Sequence, residues 1–111
     1  MEKNCCVVKK EENGFLLSPC ELVNQTSPTG IIISPLLLSH SGCTLLWFIN
    51  FLNGAENTPD KYPIDGITYR AFRDSGNVYL EETRDGGIIS VVGFSLKEIP
   101  EVLEALKIKI T

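Results

Sequence analysis

Four cysteines and one histidine are the residues of this chain best suited to hold a metal or to attack an electrophile: Cys5, Cys6, Cys20, Cys43 and His40. His40 and Cys43 stand three apart, and with Cys20 and either Cys5 or Cys6 they could supply four zinc ligands, since thiolate sulfur and imidazole nitrogen are preferred donors for that ion. Their spacing matches no zinc knuckle or ribbon, and there is no Cys-x-x-Cys. Free thiols in an apolar stretch plus one turn histidine explain them more simply, so no metal is expected. As a nucleophile with its base, Cys43 and His40 lack a local carboxylate to orient the imidazole. The paired carboxylates, Glu11 with Glu12 and Glu81 with Glu82, are adjacent on extended chain, which sends their side chains to opposite faces; neither pair can act as acid and base across one substrate. Asp85-Gly86-Gly87 precedes a strand rather than a helix and is a turn, not a phosphate loop. No catalytic residue and no cofactor are named by these patterns, and the reading leans away from an enzyme.

The remaining chemistry lies in an alternation. If Ile67, Tyr69 and Ala71, then Val78 and Leu80, then Ile89 and Val91 face a core, period two sends Arg70, Phe72, Tyr79, Glu81, Thr83 and Ser90 to the opposite face. Arg70, Phe72 and Tyr79 would lie together there, with Arg73 or Arg84 at the margin. Aromatics interleaved with arginine on an open sheet can stack bases and neutralise phosphates. The same residue types are equally at home under a cover supplied by the N-terminal half of the chain, a second subunit or a protein partner. Glu81 on that face and the acidic chain favour the protein partner, so Arg70, Phe72, Tyr79 and Arg84 are candidate binding residues, with nucleic acid as the disfavoured alternative.

Positioning that face requires a hairpin, a third strand and a helix over residues 67–107. Asp74-Ser75-Gly76-Asn77 and Asp85-Gly86-Gly87 are the turns. Ser95 with Glu98 forms a capping box, and Leu96, Ile99, Leu103, Leu106 and Ile110 make one apolar stripe with Val102 beside it, predicting a helix over about 96–107. Pro100 sits one position deeper than ideal, which predicts a tight first turn. Earlier in the chain, Cys5 to Val8 reads as a strand, Asn13-Gly14 as a turn and Phe15 as the start of a second strand interrupted at Ser18-Pro19, with Cys20 to Val23 resuming extended chain. Asn24 to Gly30 is a loop. Asn24-Gln25-Thr26 within it matches a glycosylation acceptor, read as a polar turn. Residues 53–66, with Pro59 and Pro63, read as the longest irregular connection.

From Val23 to Ala55 there is no Asp, Glu, Lys or Arg. Pro35, His40 and Gly42 in its centre, and the lack of basic flanks, argue against a membrane span. The stretch splits instead into a buried strand at Ile31 to Leu38, a turn at Ser39 to Gly42 and a helix over about 44–52, closed by Asn53-Gly54. That helix is apolar all round and must be covered on nearly every side. Trp47, Phe48 and Phe51 are therefore candidate contacts with a second copy or another partner. A pocket for a small apolar ligand between the sheet and Trp47 is a further alternative.

The chain has 111 residues and a net charge of −4. Five acidic against three basic residues in 1–56, and nine against seven in 57–111, leave no basic tail or patch. One α+β domain is expected, mostly antiparallel sheet with two helices, with two strand-strand-strand-helix halves, 1–53 and 64–111, as one arrangement of it. An offset of 56 lays Gly30, Ile32, Ile33, Ser34 and Ser39 on Gly86, Ile88, Ile89, Ser90 and Ser95. Two strand-rich halves, each closed by a helix, are in outline similar to the Whirly and Pur type of single-strand-binding domains; the resemblance is of architecture and carries no residues over. The N-terminal residues contain no apolar run of signal-peptide length, which predicts an intracellular, cytoplasmic protein. The expected function is non-enzymatic binding or regulation through protein contacts, with self-association.

Overall fold

Three two-residue turns spaced ten residues apart shape the second half of the chain. Asp65-Gly66, Ser75-Gly76 and Asp85-Gly86 each place both residues in the left-handed region, at φ of 49 and 80°, 51 and 82°, and 50 and 81°. Two successive positive φ values are the type I′ arrangement, whose twist matches that of the flanking strands. A four-stranded antiparallel meander follows, from β4 (Lys61–Ile64) through β5 (Ile67–Asp74) and β6 (Asn77–Arg84) to β7 (Gly87–Ser95). The first half makes a three-stranded meander, β1 (Cys6–Glu11), β2 (Gly14–Pro19) and β3 (Leu36–Ser39). A helix closes each sheet: α1 (Thr44–Leu52) after the first, α2 (Ile99–Ile108) after the second. The computed structural model describes residues 6–19, 27–28, 30–39 and 43–108. Cys5, Cys20, His40 and Ile110, the stretch from Cys20 to Val23, the acceptor Asn24-Gln25-Thr26 and most of the expected turn before Cys43 lie outside them.

Both helices fall where the sequence places them. Asn53 ends α1, and Gly54, at φ 71°, reverses the chain, so that Gly54 N–H donates to the Phe51 carbonyl and Ala55 N–H to the Asn50 carbonyl, both at 3.0 Å. That pair of bonds is the Schellman ending expected of a glycine one residue past a helix. Arg73 adds a cation at the same end, donating to the Phe51 carbonyl at 3.0 Å from above its ring. Before α2, Ser95 N–H donates to Glu98 Oε2 at 3.3 Å, closing the capping box, and Leu96–Glu98 is a 3₁₀ turn, as Pro100 predicts. The buried line of α2 is centred on Val102 and Leu106; Leu96, expected at the head of the stripe, is 41% exposed.

One core joins the two halves. Phe15 and Leu17 of β2, Leu36 and Leu38 of β3, Trp47, Phe48, Ile49 and Leu52 of α1, and Val102 and Leu106 of α2 pack with Tyr69, Ala71, Val78, Leu80, Val92 and Phe94 from the second sheet. Tyr69 stitches the two sheets: its hydroxyl donates to the Leu37 carbonyl at 2.9 Å and accepts from the Ser39 N–H at 3.2 Å. The chain is a single α+β domain. Strands β3 and β7 end at Ser39 and Ser95, and helices α1 and α2 end at Leu52 and Ile108, both pairs at the offset of 56 noted in the sequence.

Three expectations are corrected. Residues 61–64, assigned to an irregular connection, form an edge strand in which Tyr62 and Ile64 turn inward and Pro63 outward. Proline is tolerated there because an edge strand has one side without a partner to receive its missing N–H. The buried strand expected over 31–38 shortens to β3, because Pro35 cannot donate to a ladder and separates it from Ile31–Ser34. On β7, Ile89 and Val91 do not face the helices. Thr83 pairs with Ile88 and Glu82 with Ser90, leaving Ile89 as a bulged residue that is 50% exposed. The extra residue reverses the alternation, so Val92 and Phe94 enter the core and Val91 turns to the other face.

Candidate functional site

The antiparallel register of β5 and β6 sets Arg70 opposite Glu81 and Phe72 opposite Tyr79. Residues directly opposite share a face. Three of the four candidate binding residues, Arg70, Phe72 and Tyr79, are thus brought together, on the side of the second sheet away from the helices. The Phe72 and Tyr79 rings stack at 5.4 Å with 25° between planes, and the Arg70 guanidinium lies 4.3 Å from the Phe72 centroid. Arg70 also pairs with Glu81 at 3.4 Å. Tyr79 lies flat because its partner on β7 is Gly93, where a Cβ would come within 2.7 Å of the ring.

This face is partly covered by the first half of the chain. The Ser34 N–H donates to the Val91 carbonyl at 2.8 Å, which draws residues 31–34 along β7. Ile33 is then buried with Tyr79 and Val91 in a second apolar cluster, and Ile31, Phe72 and Ile88 pack around it half-buried. Tyr79 retains 5% of its surface and Glu81 1%, whereas the Arg70 side chain keeps 35%. Ile32, between the two covering isoleucines, points outward at 57%.

Arg84 is not part of this group. Positions 80, 82 and 84 alternate onto the helix side of β6, and there Arg84 meets Glu82 at 3.5 Å. Arg73, bound to α1, is on that side too. The outer face therefore carries one of the arginines of β5 and β6, and a carboxylate answers its charge.

Glu82 is 7% exposed beside Tyr69, and burial raises its carboxyl above the ordinary 4.5, with Arg84 pulling it back. The folded state holds this proton more tightly than the unfolded chain does, so the contribution of this group to stability is fully present below pH 4.5 and is lost as pH climbs through the raised value. Glu82→Gln is expected to gain on the order of 1 kcal/mol at neutral pH and nothing below pH 4.5, measured by urea denaturation at the two conditions. The lost pair with Arg84, whose side chain is 56% exposed, subtracts little.

The residues picked on α1 are largely used within the chain. Phe48 has no exposed surface and Trp47 4%. The Trp47 indole donates to the Pro59 carbonyl at 2.7 Å and stacks on Tyr62 at 5.7 Å, and Phe51 lies half-buried under Arg73. The apolar surplus expected of the 31–52 segment is thus mostly buried by the chain itself, leaving Ile32 and Leu46, at 57% and 55%, as its exposed large side chains among the described residues. Sequence reasoning placed a pocket at Trp47 but missed Tyr62, hidden by its neighbour Pro63, and the loop after α1 as the walls of the cleft found there.

Of the described cysteines, Cys6 is a poor nucleophile or ligand: burial, with Glu98 nearby, pushes its thiol up to about 12. Cys43 is exposed at the start of α1, where its N–H donates to the Tyr62 hydroxyl at 2.9 Å. Among the described residues no cluster of three His, Cys, Asp or Glu is placed to hold a metal, and no helix is long and apolar enough to cross a membrane. No protein-family model matches the sequence, and no curated protein matches it either.

Proposed function

We propose that this is a non-enzymatic binding protein that works through protein–protein contacts on the outer face of its second sheet and associates with itself there. The observation that carries the reading is the second apolar cluster. It lies outside the core, has the 31–34 segment over it among the described residues, and leaves Ile31, Phe72 and Ile88 half-buried, with Arg70 at the edge. An arginine and an aromatic ring beside a partly desolvated apolar patch are the residue types that dominate protein interfaces. The patch also suits a second copy, because a two-fold axis would lay the half-buried Ile31, Phe72 and Ile88 of one protomer against the same residues of the other.

Single-stranded nucleic acid is the less favoured occupant. Stacking would fall to Phe72, since Tyr79 is 5% exposed, and the charge of Arg70 is already met by Glu81. Little counterion release remains to drive binding to phosphates.

Light scattering at micromolar concentration is expected to give a mass above that of one 12.3 kDa chain. Phe72→Asp should return it to one chain with the thermal melt retained. A one-chain mass for the unsubstituted protein would remove self-association. Tight oligonucleotide binding that weakens steeply with salt would favour the nucleic-acid reading instead.

A further inference from the structure

A cleft of about 370 Å³ opens between α1 and the loop that joins it to β4. Its volume falls within the range of small-molecule sites, about 300–1,000 Å³. Cys43, Leu46, Trp47 and Asn50, spaced three, one and three apart, form one stripe of the helix and make the first wall. Ala55, Pro59 and Tyr62 supply an apolar second wall, and Thr58 and Asn57 a polar rim. The stripe explains why Leu46, on a helix otherwise well covered, is 55% exposed: it is a wall of the cleft.

The cleft is preformed. Trp47 holds the loop through the Pro59 carbonyl at 2.7 Å, Tyr62 holds the start of the helix through the Cys43 N–H at 2.9 Å, and the two rings stack. The Schellman bonds fix the chain between them. A site that needs no ordering on binding loses little affinity to that cost. Trp47, at 4% exposure, is the floor, and Leu46 and Tyr62 are the surfaces a ligand would touch.

Charge decides the ligand class. Among the described residues of the lining, Glu56 is the one acidic residue and there is no lysine or arginine. The geometry points to a binding site for a flat aromatic small molecule that carries no negative charge. Its apolar body lies between Leu46 and Tyr62, and its polar edge meets Asn50, Thr58 or Glu56. This site is separate from the outer sheet face and does not depend on the function proposed for it.

The test uses a matched pair of probes, uncharged phenylnaphthylamine and its sulfonated analogue anilinonaphthalene sulfonate, titrated into the full chain by fluorescence. The uncharged probe should bind saturably at one site, and the sulfonate at least about tenfold more weakly. Leu46→Asp, a change at an exposed position, should lose phenylnaphthylamine binding by a similar factor, whereas Phe72→Asp should leave it unchanged. Bound probe should also slow alkylation of Cys43 by iodoacetamide, read at that residue by mass spectrometry in the unsubstituted protein. Absence of saturable binding, equal affinity for the sulfonate, loss on Phe72→Asp instead of Leu46→Asp, or an unaltered Cys43 rate would each overturn the assignment.

Discussion

Gly14→Ala is expected to destabilise the protein by more than about 3 kcal/mol, a loss large enough to unfold a domain of this size under mild denaturant. Gly14 opens β2 and pairs with Ser39 at the end of β3. A Cβ built there would fall on the carbonyl oxygen of Leu38, which is backbone and cannot rotate away. Relief requires opening the β2–β3 pairing beside Phe15 and Leu38, which are 1% and 0% exposed. It would also disturb the Ser39 N–H that donates to the Tyr69 hydroxyl. The control is Gly87→Ala, where the nearest atom to an added Cβ, the Arg84 carbonyl oxygen, is 3.8 Å away; a change within about 0.5 kcal/mol is expected. Urea denaturation of both variants, followed by circular dichroism, makes the comparison. Equal midpoints would mean that the first sheet is not closed in this way.

Phe48→Ala is expected to cost about 3–5 kcal/mol, the range for emptying a fully buried aromatic site. Phe48 lies at 0% exposure among side chains from both sheets and both helices, so its loss leaves a cavity that several rigid elements would have to collapse to fill. Leu46→Ala, two positions earlier on the same helix, should stay within about 0.5 kcal/mol because that side chain is already 55% exposed. The contrast separates a core residue from a subunit contact. If Phe48 belonged to an interface between copies, the cost of its removal would vary with protein concentration; a difference in midpoint between Phe48→Ala and the unsubstituted protein that stays the same across a wide concentration range is the expected result.

Local signals made the helices and most turns legible. An apolar nonamer followed by Asn53-Gly54 fixes α1, and Ser95 with Glu98 fixes the start of α2, because caps act within a few residues of themselves. The partnership of Arg70, Phe72 and Tyr79 was readable for the same reason, since one tight turn at Ser75-Gly76 sets the register of β5 on β6. Arg84 is a different case: counting by twos from Leu80 puts it on the core side, so the information was present in the alternation. β4 was hidden by Pro63, which argues against a strand in any position but an edge, although Asp65-Gly66 repeats the turn signal ten residues before Ser75-Gly76. The reversal along β7 comes from a bulge at Ile89, opposite Glu82 and Thr83, where no residue type announces an extra residue. The cover of Tyr79 by Ile33 joins positions 46 apart through a single backbone bond from Ser34, and periodicity says nothing about such a contact.

The hydroxyl of Tyr69 has a consequence for how the chain can be divided. It sits on the second sheet but finds both of its partners, Leu37 and Ser39, on the first. Cut anywhere between Leu52 and Lys61, the piece with the four-stranded meander would keep its own ladders. It would strand that hydroxyl and bare the faces of Val78, Leu80 and Phe94, while the other piece bared Phe15, Leu17 and Leu38. The two fragments are templates for each other: neither is a self-sufficient folding unit, and mixing them would be the route by which either regains a fixed structure.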